Sequence, residues 1–220
     1  MRWLRVAVIV GVVLVGAGCA RTVDGAAVAP DTDPTETVML TADEYGIGLG
    51  WPAARVALEI FIEPQCSRCA GLEIFHGGEI ADYIDSGDLV VTYRPLTFFD
   101  STPTGYSHRV SNALFLAAAA DLPAVAVQGF IQQLYWDADT SGDNQFLANI
   151  AATARLSQHV IDRIGAGDAA IDTVAMNTTN HQRLNEIGGA DTVPTVYDLN
   201  ARQVVDTGDN NWLKRLVGDR

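Results

Sequence analysis

Cys66-Ser67-Arg68-Cys69 is the segment of this chain whose residue types and spacing most directly carry chemistry. Two cysteines so spaced can be half of a zinc site, a short structural disulfide or a redox-active dithiol. Structural zinc takes four protein ligands and so needs a second pair. The third cysteine, Cys19, lies far upstream, and His76, His108, His159 and His181 have no zinc-finger spacing. No metal and no other cofactor is therefore expected. A disulfide closing so short a loop restrains the unfolded chain little. Position favours the redox dithiol, because the pair follows an apolar, β-rich run and opens a helical one.

At a helix N-terminus the free backbone N–H groups and the macrodipole favour an anion, so Cys66 should give up its proton readily. The thiolate is the attacking species in disulfide exchange. Cys66 is accordingly expected to be the more exposed cysteine and to form the mixed disulfide. Cys69, one turn further in, should resolve it. Ser67 and Arg68 are the residues placed to tune that thiolate. Arg68 adds a positive charge unless its side chain turns away into solvent. A stabilised thiolate stabilises the reduced protein and raises its reduction potential, which points toward an oxidant.

The elements that must hold the dithiol are legible on either side. Val56–Ile62 reads as a strand covered on both faces. Pro64 ends it. The helix from Cys66 carries Leu72, Phe75, Ile80, Tyr83 and Ile84 on related faces, with a kink expected at Gly77-Gly78. A second strand at 88–94 completes a βαβ unit, for which a right-handed crossover is expected. The pattern is then helical up to residue 187. Val110, Ala113, Leu114 and Ala117 form one stripe, and Val127, Phe130, Ile131 and Leu134 another. Further helices are predicted near 144–154, 158–164 and 169–187, with Asp143 and Ser157 at N-cap positions. Gly188-Gly189 stops the last of them. Strands at 195–197 and 203–206 pair around Asn200-Ala201, and a final helix at 210–217 turns Trp212, Leu213 and Leu216 inward. His76 reads as a helix-surface residue, and Trp51, Trp136 and Trp212 as core or groove aromatics.

Phe61-Ile62-Glu63-Pro64-Gln65 before the dithiol, Tyr93-Arg94-Pro95-Leu96, the long helical stretch and Thr192-Val193-Pro194-Thr195 together resemble DsbA-like thioredoxin-fold proteins, especially exported actinobacterial members. The resemblance covers residues 36–220. It implies an α/β thioredoxin fold, with a central mixed sheet flanked by helices. A helical insertion at about 102–187 would separate the βαβ unit from the C-terminal β-hairpin. It implies a thiol–disulfide oxidoreductase that oxidises reduced secreted or cell-envelope proteins and is itself reoxidised by a quinone-coupled membrane partner. An envelope reductase or isomerase, or a non-catalytic peptide-binding protein, is the alternative. It also implies a cis Val193–Pro194 bond facing the dithiol, with Thr192, Val193 and Pro194 forming the loop that meets substrate; taken alone, Pro194 could simply start an edge strand. Two departures stand out. The position six before the first cysteine, often a buried acid in thioredoxin-like enzymes, is Ile60, which leaves Glu63 or water as the proton acceptor for Cys69. The Ser67-Arg68 pair is unlike those of the best-known members.

The N-terminus reads as an address. Arg2 and Arg5 precede an uncharged run at 6–18, and Gly16-Ala17-Gly18 leads into Cys19. This reads as a secretory signal at 1–18 leading into a cysteine that resembles a bacterial lipobox, although Gly16 stands where an aliphatic residue is usual; an ordinary cleaved signal beside a stray cysteine, or an uncleaved membrane anchor, is the alternative. Cys19 is the expected lipidation site and 19–36 a flexible tether to a domain at 37–220, held on the outer face of the cytoplasmic membrane. Over the whole chain acids outnumber bases 27 to 14, and the net charge of −13 argues against a nucleic-acid partner. Loss of 1–18 would make the remainder more negative still.

Overall fold

The computed structural model describes residues 37–137 and 139–218. The signal segment, Cys19 and the tether lie outside the described residues. Six strands form one mixed sheet: β1 (Thr37–Leu40), β2 (Ile47–Gly50), β3 (Val56–Ile62), β4 (Leu89–Pro95), β5 (Thr195–Asp198) and β6 (Gln203–Val204), in the order β1-β2-β4-β3-β5-β6. β3 and β4 are parallel and joined by α1 (Ser67–Asp85); the other neighbours are antiparallel. Both faces of β3 are covered, which is why its sequence is apolar at nearly every position rather than alternating.

The helices after β4 are α2 (Tyr106–Ala118), α3 (Ala124–Trp136), α4 (Asn144–Thr153), α5 (Gln158–Ala166) and α6 (Thr173–Glu186); α7 (Trp212–Gly218) follows the terminal hairpin. The apolar stripes predicted for α2 and α3 are buried. Asp143 caps α4 by accepting from the Phe146 N–H at 2.9 Å, whereas Ser157 precedes α5 in extended conformation with no cap bond from its side chain. Asp172, which the sequence reading passed over, caps α6 by accepting from Val174 and Ala175 N–H.

Two expectations are corrected. First, α1 runs unbroken through Gly77-Gly78. Gly77 serves close approach instead: a Cβ there would lie 3.1 Å from the Gln132 side chain of α3, so the bare backbone lets α1 and α3 pack tightly. Second, the sheet gains the β1–β2 hairpin, whose four-residue strands, the second of them half glycine, carry little strand periodicity. Gly50, at φ +121, ends β2 where a Cβ would stand 2.5 Å from the Leu89 carbonyl oxygen.

A buried ionic network ties these parts together. Glu59 on β3 is 3% exposed and accepts from Arg94 Nε on β4 at 2.5 Å and from Arg183 Nε on α6 at 3.2 Å. Arg94 Nη1 also donates to Asp43 at 2.8 Å and to Asn180 Oδ1 at 2.9 Å. Removing one partner of a buried pair strands the other charge, at a cost of about 3–5 kcal/mol. Arg94→Met is therefore expected to lower unfolding stability by about that much, read as a fall in the urea midpoint.

Candidate active site

β3 delivers the chain to Glu63 and Pro64, and Cys66 is the N-cap residue of α1, with φ −82 and ψ 115. Its side chain makes no cap bond. The N–H groups of Arg68 and Cys69, in the first turn, are nonetheless near enough to its sulfur to favour the thiolate. Cys66 is 8% exposed and Cys69 wholly buried, and neither is in a disulfide. The order of exposure matches the sequence reading, but Cys66 offers an attacking partner only a narrow opening.

The two thiols titrate in opposite directions. The Cys69 S–H, which hydrogen-bonds the Cys66 sulfur, does most to lower the Cys66 pKa, to about 5, against the opposing effect of burial. The backbone N–H groups of Cys69 and Arg68 help, and the Arg68 charge adds less. Arg68 and Ser67 are both exposed. For Cys69, burial and the negative charge beside it push the thiol well up. At neutral pH the pair holds one negative charge, on Cys66.

Glu63 lies beneath the dithiol, fully buried. Its carboxyl accepts from the Gln65 N–H at 2.6 Å and from the Ser107 hydroxyl, while its own backbone N–H donates to Cys69 Sγ at 3.5 Å. Burial raises its pKa to about 7, with the charges of Asp100 and Cys66 adding to the rise. A carboxyl so poised can exchange a proton near neutrality. Gln65 joins this group to the insertion, donating from Nε2 to Asp100 at 2.7 Å and to Ser107 at 3.0 Å. Gln65, Asp100 and Ser107 were missed by sequence reasoning, since no motif links residues so far apart.

The Val193–Pro194 peptide is cis, and the Val193 carbonyl oxygen lies 3.5 Å from Cys66 Sγ, within reach of its S–H when protonated. Thr192 is exposed, and its carbonyl accepts from the Thr195 hydroxyl at 2.6 Å. A cavity of about 360 Å³ opens beside this loop, lined by Arg68, Leu72, Phe75, Pro194 and Trp212 among others. Phe75, placed with the inward residues of α1 by periodicity, is instead 78% exposed at this opening. His76 is buried rather than on the surface, edge-on to Trp212 with ring centroids 5.5 Å apart. Trp212 is buried, but Trp136 is 63% exposed and Trp51 partly so, so neither is a core residue.

No family model matches the chain. Among solved structures, it superposes on MdbA, a thiol-disulfide oxidoreductase from Corynebacterium diphtheriae, with a TM-score of 0.68 and 21% identity, covering 84% of this chain and 97% of that one. The MdbA of Corynebacterium matruchotii gives 0.70 at 16% identity, over 82% and 91%. DsbA from Mycobacterium tuberculosis gives 0.58 at 15%, over 84% and 91%. This is a DsbA-like thioredoxin fold. In sequence, an alignment 191 positions long that covers 83% of the chain is 28% identical to the serine/threonine-protein kinase PknE of Mycobacterium tuberculosis. The chain spans 33% of the length of that relative.

In this DsbA-like domain the acidity of Cys66 can be read directly. Its alkylation by iodoacetamide, followed by mass, should be half-maximal near pH 5 and slow below it as the thiolate is protonated. Cys69→Ala removes the largest stabilising contact and should move that midpoint up, toward an ordinary thiol at about 8.5.

Proposed function

We propose that this chain is an exported thiol–disulfide oxidoreductase that passes its Cys66–Cys69 disulfide to dithiols of secreted and cell-envelope proteins. The observation that carries this reading is an acidic Cys66 at the head of α1, 3.5 Å from the carbonyl of Val193. The reaction balances as two exchanges. A substrate thiolate attacks Cys66 Sγ; the Cys66–Cys69 bond breaks, and Cys69 leaves and takes up a proton. A second substrate thiolate then attacks the substrate sulfur of the mixed disulfide, and Cys66 leaves as thiolate. Two electrons pass from substrate to protein, and the substrate gains a disulfide. A low-pKa thiol is the better leaving group, which favours this direction. Each tenfold gain in Cys66 acidity stabilises the dithiol form by about 1.4 kcal/mol, or about 30 mV on a two-electron couple.

Thr192, Val193 and Pro194 would offer backbone to an extended substrate strand beside Cys66. Arg68 and Ser67, exposed at the mouth, would meet its flanking residues. Regeneration reverses the chemistry: the Cys66 thiolate attacks the disulfide of a quinone-coupled membrane partner and displaces one of its sulfurs as thiolate; Cys69 then gives up its proton and attacks Cys66 Sγ, closing the ring and releasing the partner's second sulfur as thiolate. Glu63 is placed to receive that proton. With the signal-like 1–18 removed, a lipidated Cys19 would hold the domain at the outer face of the membrane that carries such a partner. The exported character implied by the N-terminus and the likeness to thiol-disulfide oxidoreductases support the location.

A redox titration in glutathione buffers, read by mass after thiol trapping, should give a potential well above thioredoxin's about −270 mV; a value near that would favour a reductase. Cys66→Ser should abolish both insulin reduction and thiol oxidation, and Cys69→Ser should accumulate mixed disulfide. A variant lacking Cys66 that still held its client peptides with undiminished effect would favour the peptide-binding alternative. The rate of reoxidation should rise with pH through about 7 as Glu63 ionises. Glu63→Gln should remove that inflection and slow the step by about 100-fold.

A further inference from the structure

α6 stands between the two loops that frame the dithiol, and side chains on it reach both. Toward the loop leaving β4, Asn177 Oδ1 accepts from the Thr97 N–H at 2.7 Å, and Asn180 donates to the Pro95 carbonyl at 2.8 Å. Toward the loop ahead of Pro194, His181 Nε2 lies 2.5 Å from Asp191 Oδ1. The same imidazole faces Phe98 with ring centroids 6.3 Å apart, and Phe98 packs edge-on against Phe99 at 4.9 Å. Asp100, further along that loop, accepts from Gln65, the residue just before Cys66.

The backbone at Asp191 needs holding. Ala190 and Asp191 sit at φ 45 and 55, consecutive left-handed residues, neither of them glycine. Such conformations persist where the surroundings over-determine them. The bonds within the loop are local ones: Thr192 N–H to the Gly189 carbonyl at 3.0 Å, and Thr192 hydroxyl to the Ala190 carbonyl at 3.3 Å. From α6, Leu184 packs against Gly189 and His181 hydrogen-bonds Asp191, reaching the loop from outside. Two residues beyond Asp191 comes the Val193 carbonyl, 3.5 Å from Cys66 Sγ.

We propose that His181 is a positioning residue for peptide substrates: through Asp191 it sets the loop that presents the Val193 backbone to a substrate strand, and through Phe98 it ties that loop to the one bearing Asp100. This rests on the thiol-exchange reading above. It makes the enzyme selective for thiols carried on extended peptide, because a small thiol needs Cys66 but no strand beside it. His181 touches neither sulfur and takes no part in electron transfer.

The test compares two substrates of the oxidised full chain, a dithiol peptide and glutathione. The His181–Asp191 pair is partly exposed, at 42% and 65% of the side chains, so its loss should raise the peptide KM roughly fivefold, the ceiling for exposed pairs. His181→Ala should show that rise with kcat, the glutathione exchange rate and the reduction potential unchanged. His181→Gln, which keeps a donor for Asp191, should restore most of the affinity. Asp191→Ala, made in an exposed loop, should reproduce the rise and decides the matter if His181→Ala does not fold. An unchanged peptide KM in the folded variants overturns the proposal. So does a parallel loss with glutathione, which would place the effect on Cys66 or on folding. Failure of the unaltered chain to exchange with either thiol would instead overturn the oxidoreductase reading.

Discussion

The Cys66 thiol is shifted toward its thiolate, against the penalty of burial, by the Cys69 S–H and the first backbone N–H groups of α1 beside it. A partly buried thiolate is tolerable only with donors already aimed at it. Cys69 supplies one of them and cannot also ionise, so the two cysteines differ sharply although they are neighbours in sequence. That asymmetry sets the acidic sulfur of Cys66 apart from the protonated one of Cys69. It depends on α1 beginning at Ser67, which in turn depends on β3 and Pro64 bringing the chain in extended and releasing it there.

The other parts of the molecule maintain this arrangement from a distance. α2 contributes Ser107 to the Glu63 carboxyl, and the β4–α2 loop contributes Asp100 to Gln65. The helical insertion is thus part of the site's floor. α6 reaches the Glu59–Arg94 network through Arg183 and Asn180, so one helix braces the central strands. Buried charge of this kind is poor at adding stability but strict about geometry, since each member left unpaired is costly. It fixes where β4 ends, and hence where Phe98 and Asp100 stand.

Much of the fold was legible. The β3–α1–β4 unit announces itself by an apolar run, a proline, a helical period and a second run, and its bounds fall within a residue of those expected. The α2 and α3 stripes, the Asp143 cap and the β5–β6 hairpin are read from equally local signals. Periodicity misled where a residue on an apolar face meets a groove: Phe75 has the spacing of a core residue but lies at an opening. His76 went the other way, because Trp212, from the far end of the chain, covers it.

By itself the sequence determined the dithiol, its place at a strand-to-helix junction and the proline-bearing loop, since backbone sterics, hydrogen bonding and side-chain period act over a few residues and leave their mark in order along the chain. Tertiary structure alone decided the distance from Cys66 to Val193, the burial that lifts Glu63, and the meeting of His181 with Asp191 and Phe98. Those are properties of groups brought together across long stretches of chain. Electrostatic and contact energies depend on separation in space, and separation in space is not written in any local pattern.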